Sequence, residues 1–170
     1  MKNPTPDDFK KAMTDCLAFE FYHFEFYSRM LRDHRLRLPG SVVQAYQYAL
    51  LLHFRLLLEF LYKDARSEDD LRVVDFEPLF PKASPEPWRP RPHWFKDMWD
   101  NLNMLLAHAS RHRWKPPRPD WNNYAQHFPE VQSHIDAFLQ ALPKELGSAL
   151  AGRWNEFQRR DAMQVKALEA

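Results

Sequence analysis

Apolar residues along the chain recur at helical rather than strand intervals. The first such run passes from Phe9 through Leu17 to Leu31 and predicts a helix over residues 6 to about 32. Pro6 stands near its first position, and Asp7 and Asp8 follow in the first turn, facing the positive end of the helix dipole. Inside it, "FEFYHFEFY" alternates aromatic and polar residues as a strand would. Turn signals are missing on both sides, so helix is the expectation and strand the competing reading. Pro39-Gly40-Ser41 reads as a turn with Ser41 as N-cap, opening a second helix to about residue 62. At ~100° per residue, one side of it carries Tyr46, Leu50, His53, Leu57 and Phe60. Gln44, Tyr48, Arg55 and Glu59 fall on the other side, with leucines on both flanks. A helix apolar nearly all round belongs at the centre of a bundle.

The acidic run "SEDDLRVVDFEP" predicts a turn or short helix. Prolines at 78, 81, 85, 87, 90 and 92 then exclude regular structure and predict a proline-rich surface arm over 78–92. A third helix is expected from about 93 to 110, its stripe formed by Phe95, Met98, Leu102, Leu105, Leu106 and Ala109. "KPPRPDWNNY" breaks the pattern again before a fourth helix over about 128–142, which Pro143 ends. The fifth, over about 144–162, shows Leu146, Leu150, Trp154 and Phe157 at helical spacing, and the tail from about 163 is expected to fray. The pattern therefore predicts an all-α fold, an up-and-down bundle of about five helices forming a single domain over 1–170.

Composition narrows this picture. Three glycines are too few for the turns of a many-stranded sandwich. The formal net charge of +1 gives no whole-molecule field for nucleic acid or membrane, so any such surface must be local. Cys16 is the single cysteine, and the first sixteen residues carry charges where a signal peptide has an apolar run; a reducing cytoplasm is expected. "YALLLHFRLLLEFLY" is interrupted by His53, Arg55 and Glu59 and is shorter than the roughly 20 residues of a membrane span, so no membrane partner is expected.

Glycine-rich phosphate loops, GxSxG, HExxH and paired CxxC motifs are all missing, which leaves histidine, carboxylate and arginine on helices as candidate chemistry. Glu20 and His23 have the Glu-x-x-His spacing of di-iron bundles, with Glu59 imaginable as a bridge, but such a site needs the motif twice and it occurs once. Arg55 and Glu59 at i, i+4 read as a mutually satisfied pair, or with Arg55 lining a polar pocket that faces the third helix. His108 and His112, also four apart, could share a metal ion if a third ligand such as His53 joined them. His108-x-x-x-His112-Arg113 resembles the end of the histidine signature of DinB-like metal-binding bundles, which makes that the alternative function.

"LLLHFRLLLEFLY", an acidic turn, a proline-rich arm and "NLNMLLAHASRHRWKPPRPDW" follow one another in an order that resembles HEPN-like helical-bundle proteins over about residues 45–121. The resemblance implies a homodimeric, RNA-associated bundle that needs no cofactor, and a metal-independent ribonuclease of a toxin or defence system in degenerate form. It assigns His108 as the acid-base residue. In that family an arginine precedes the histidine by five to seven positions; here Asn101, Leu102 and Asn103 fill the window, so Asn101 and Asn103 become the phosphate-contact candidates. Asparagine donates a hydrogen bond but brings no positive charge to a phosphorane. Arg111 and Arg113 could supply charge from the following turn, and Arg55 from the second helix.

Each of these residues also has a structural reading. A histidine near a helix end is commonly satisfied by neighbouring polar groups, and cations before a proline stop suit the negative end of the helix dipole. Basic residues interleaved with Trp114 and Trp121 are also what a single-stranded RNA groove uses for charge and stacking. Trp88, Trp94, Trp99 and Trp114 exceed what one modest core readily hides. They are the ground for a homodimer, or for a protein-interaction module without chemistry.

Overall fold

Thr5 and Pro6 open the first helix together. The Thr5 hydroxyl accepts from the Asp8 backbone N–H at 3.3 Å while the Asp8 carboxylate accepts from the Thr5 N–H at 2.8 Å, a reciprocal capping box. The computed structural model describes residues 5–63, 72–80, 91–106 and 121–169, and every regular element among them is helical. Helix α1 (Pro6–Lys11) passes through a π-helical segment, Ala12–Leu17, into α2 (Ala18–His34). On an unbroken α-helix Phe9 and Phe21 would lie about 120° apart. The π segment, marked by the Ala18 N–H bonding Met13 O, takes up extra residues and turns Leu17, Ala18 and Phe21 into the core with Phe9 and Met13. Cys16 is left exposed.

"FEFYHFEFY" is helical within α2. Its alternation reflects a helix packed on more than one side: Phe21, Tyr22 and Phe24 are all buried, against α3 (Gly40–Tyr62) and α8 (Lys144–Glu169). Pro39, rather than Ser41, occupies the cap position of α3. Its carbonyl accepts from Val42 and Val43 at 2.9 and 3.0 Å, with no side-chain cap, because proline's fixed φ already directs the chain into the helix. The C-terminal half of α3 is the centre of the bundle, with Leu57, Leu58, Phe60, Leu61 and Tyr62 all buried.

Among the described residues the acidic run forms the short helix α4 (Val73–Phe76), followed by a 3-10 turn, Glu77–Leu79, that accommodates Pro78. Most of the expected proline-rich arm, residues 81–90, lies outside the described residues. Helix α5 (Phe95–Leu106) buries Phe95, Met98, Trp99 and Leu102, close to the expected stripe. "KPPRPDWNNY" is not wholly a break: it ends in a short helix, α6 (Trp121–Ala125), which buries Tyr124. Helix α7 (Phe128–Ala141) starts with Pro129 in its first turn and stops at Leu142, held extended by the following Pro143. Helix α8 continues to Glu169, past the expected end near 162. Arg153 and Arg160 both pair with Glu156 on it, at i, i+3 and i, i+4.

Packing converges on aromatic rings. Phe76 stacks edgewise with Phe138 at 5.4 Å, Phe60 meets Phe138 at 5.2 Å, and Phe9 meets Phe76 at 4.9 Å, so α1, α3, α4 and α7 share one contact. Phe24, Phe54 and Phe128 make a second cluster joining α2, α3 and α7. Phe138 is fully buried at the first of these junctions. Phe138→Ala is expected to destabilise the chain by about 3–5 kcal/mol in chemical denaturation, the usual range for a phenylalanine cavity.

Candidate functional site

Helix α3 puts its polar residues on two sides, and each side meets a different neighbour. Arg55, Glu59 and Lys63 follow one another at four-residue intervals and face α5, which answers with Trp99 and Asn103, also four apart. The Arg55 Nε–H donates to Asn103 Oδ1 at 2.7 Å, and its guanidinium carbon lies 4.7 Å from the centre of the Trp99 ring. Lys63 covers the same ring at 4.3 Å and pairs with Glu59. Glu59 is 3.9 Å from Arg55 Nη1, beyond hydrogen-bond reach. Two cations thus share one carboxylate, and the tighter partner is the lysine. The terminal amino groups of Arg55, with side-chain exposure of 19 %, make no hydrogen bond among the described residues.

Of the sequence candidates, Arg55 and Asn103 are brought together, and Arg55 does face the third predicted helix. Asn101 is exposed on α5, two residues and therefore ~200° round from Asn103, so it does not join them. His108, Arg111, His112, Arg113 and Trp114 lie outside the described residues. Sequence reading missed Trp99 and Lys63 as members of the cluster. Their signal was the continuation of two four-residue registers, 55-59-63 and 99-103.

The opposite side of α3 carries His53, which is buried and turned toward α2. Its Nδ1–H donates to the Glu20 carboxylate at 2.6 Å. His23 stacks on His53 at 5.3 Å and on Tyr27 at 5.6 Å, and its own Nδ1 is buried with no partner among the described residues. Tyr22 donates to Asp161 at 2.5 Å beside them. The Glu-x-x-His pair of α2 therefore meets a third helix, but through a hydrogen bond and ring stacking. Among the described residues no group of three or more His, Cys, Asp or Glu side chains could hold a metal ion. Glu59 faces α5, away from Glu20, and His53 is committed to α2 rather than turned toward α5.

Two of the four surplus tryptophans are accounted for inside the chain. Trp99 is buried under its two cations, and Trp94 stacks on His127 at 4.1 Å while its indole N–H donates to Glu130 at 2.8 Å. Trp88 and Trp114 lie outside the described residues. No helix among the described residues is long and apolar enough to cross a membrane. Family models, characterised proteins and solved structures give no match to the chain.

Burial, and then the neighbouring His53, hold the His23 imidazole below its ordinary value of 6.5. Burial does the same to His127 and His134. The fold thus disfavours a proton that the unfolded chain accepts near 6.5, so this contribution is complete above that pH and is lost as pH falls through the lowered folded values. Thermal midpoints measured from pH 7.5 down to about pH 5 should fall. His23→Gln should show a shallower fall, with the remainder carried by the other two histidines.

Proposed function

We propose that the chain is an RNA-associated bundle of the HEPN-like kind, in which Arg55 takes the place of the arginine missing from the window before His108. The observation that carries this reading is the 2.7 Å bond from Arg55 Nε to Asn103 Oδ1. It fixes a guanidinium on the helix that leads toward His108, five residues beyond Asn103 in the sequence. Because asparagine is neutral, the bond orients the guanidinium without neutralising it, and the terminal amino groups, which make no hydrogen bond among the described residues and have Glu59 no nearer than 3.9 Å, are the ones a phosphate engages bidentately. Leu52 and Tyr48 stand on the same side about one and two turns earlier in α3, both exposed, and a tyrosine face there suits an unstacked base.

The chemistry needs no metal. A ribose 2'-hydroxyl loses its proton to His108 and attacks the adjacent phosphorus; the bond to the 5'-oxygen breaks, that oxygen regains the proton from the protonated His108 by way of water, and a 2',3'-cyclic phosphate remains. Arg55 steadies the charge on the phosphate during that exchange. The homodimer that goes with this reading would sediment at about twice the 20.4 kDa of the chain.

Binding and cleavage of a mixed RNA pool, with chelator present, test the proposal. Arg55→Ala should weaken retention by about tenfold or more, the loss expected when a hydrogen-bonded charge is removed. His108→Ala should leave retention intact and abolish cutting. An unmodified protein that neither retains nor cuts RNA ends the proposal.

A further inference from the structure

A groove of about 720 Å3 lies beside the Arg55 face, between α2, α3, α6 and α7, and falls in the size range of small-ligand sites. Phe24, Leu50 and Phe128 line it with apolar and aromatic surface, and Trp121 of α6 adds an indole to the lining. Three amide side chains, Gln47, Asn122 and Gln132, line it together with Arg29 and Arg32. The amides and Arg29 are in large part free. Gln132 spends only its NH2 group, on Asp136, while Gln47, Asn122 and Arg29 make no side-chain hydrogen bond or ion pair among the described residues. Arg32 is paired with Asp33. Ser28 in the wall holds a buried hydroxyl with no partner among the described residues.

We infer that this groove takes one nucleotide of the bound RNA, with adenine as the base it fits. The inference rests on the RNA reading above and adds a substrate preference to it. The Trp121 indole and the Phe24 and Phe128 rings in the lining offer aromatic faces for stacking, and stacking alone accepts any base. The amides supply the selectivity: a Gln or Asn side chain presents one donor and one acceptor side by side, the pattern that adenine returns with N6 and N7. Arg29 supplies a cation for the phosphate; the other charged lining residues are Glu25 and Arg32, the latter already paired with Asp33. Gln47 and Arg55 are eight residues apart on α3, ~12 Å along the axis and ~80° round it. The groove and the Arg55 face are therefore neighbouring quadrants that one single strand could cross.

Calorimetric titration with adenosine and uridine monophosphate, alongside retention of oligo(A) and oligo(U), tests this. The unmodified chain should bind the adenine nucleotide more tightly and retain oligo(A) over oligo(U). Trp121→Ala should lose at least about fivefold in both adenine measurements, within the range of a lost stacking contact. Because Trp121 also packs against the core, the exposed-site variants Arg29→Ala and Asn122→Ala provide the same test with little risk to folding. Arg29→Ala should weaken the nucleotide, and Asn122→Ala should erase the preference for adenine. Arg55→Ala should keep mononucleotide binding while weakening RNA retention by about tenfold. RNA retention that all three groove variants leave unchanged overturns the groove proposal and leaves the RNA reading standing. Mononucleotide binding without any RNA retention overturns both the RNA reading and the groove's place as an RNA subsite. Equal binding of adenine and uracil nucleotides, or of an unrelated aromatic carboxylate such as indole acetate, overturns the assigned ligand.

Discussion

The C-terminal half of α3 is covered on nearly every side, yet its sequence sets a histidine and an arginine two residues apart within that covered stretch. A buried polar group without a partner is expensive, and a buried charge more so. Two residues apart on a helix means opposite sides, so both costs could not be met by one neighbour. Glu20 of α2 meets His53, and Asn103 of α5 meets Arg55. The requirement to satisfy these two groups fixes which helix lies on which side of the centre. It also separates the molecule's polar interior into a histidine side and an arginine side.

The histidine side depends on a local irregularity. Without the π segment at Ala12–Leu17, α2 would be rotated relative to α1, and the Phe9 and Phe21 faces would not share one core. With it, Phe21 joins Phe60 and Phe138, and Glu20 reaches His53 one residue away around the helix. Packing and hydrogen bonding are thus set by the same turn. Apolar contact dominates the energetics of this side, since the His–Glu bond is single and the rings surrounding it are many.

Helix positions and core faces were legible because periodicity and burial have the same cause. Leu146, Leu150 and Phe157, read as a stripe, are buried, and Phe95, Met98 and Leu102 likewise. Three features escaped. The π segment leaves no compositional mark, since its cause is the mismatch between two packed faces. Helix α6 was hidden by prolines just before it, which stop a helix but also precede one comfortably. The Glu20–His53 pair spans 33 residues, and no spacing rule connects positions so far apart. The site was legible in part: Arg55 facing α5 followed from its place on the wheel, whereas its contact with Asn103 required the relative register of two helices.

That register decides what Arg55 is free to do. Had α5 presented a carboxylate at position 103, the pair would have been closed, with the guanidinium neutralised and desolvated for structural reasons alone. Asparagine closes only one of the five guanidinium N–H groups and leaves the formal charge intact. Glu59 is the carboxylate that could have closed the pair, and Lys63, one turn further along, takes its direct bond while Arg55 keeps only a looser ion pair to it at 3.9 Å. The lysine therefore takes the larger share of the carboxylate's charge, and Trp99 beneath both cations fixes their heights above a common floor. The result is a positioned cation with unspent donors at the seam between α3 and α5, the arrangement an incoming phosphate needs and a purely structural ion pair does not.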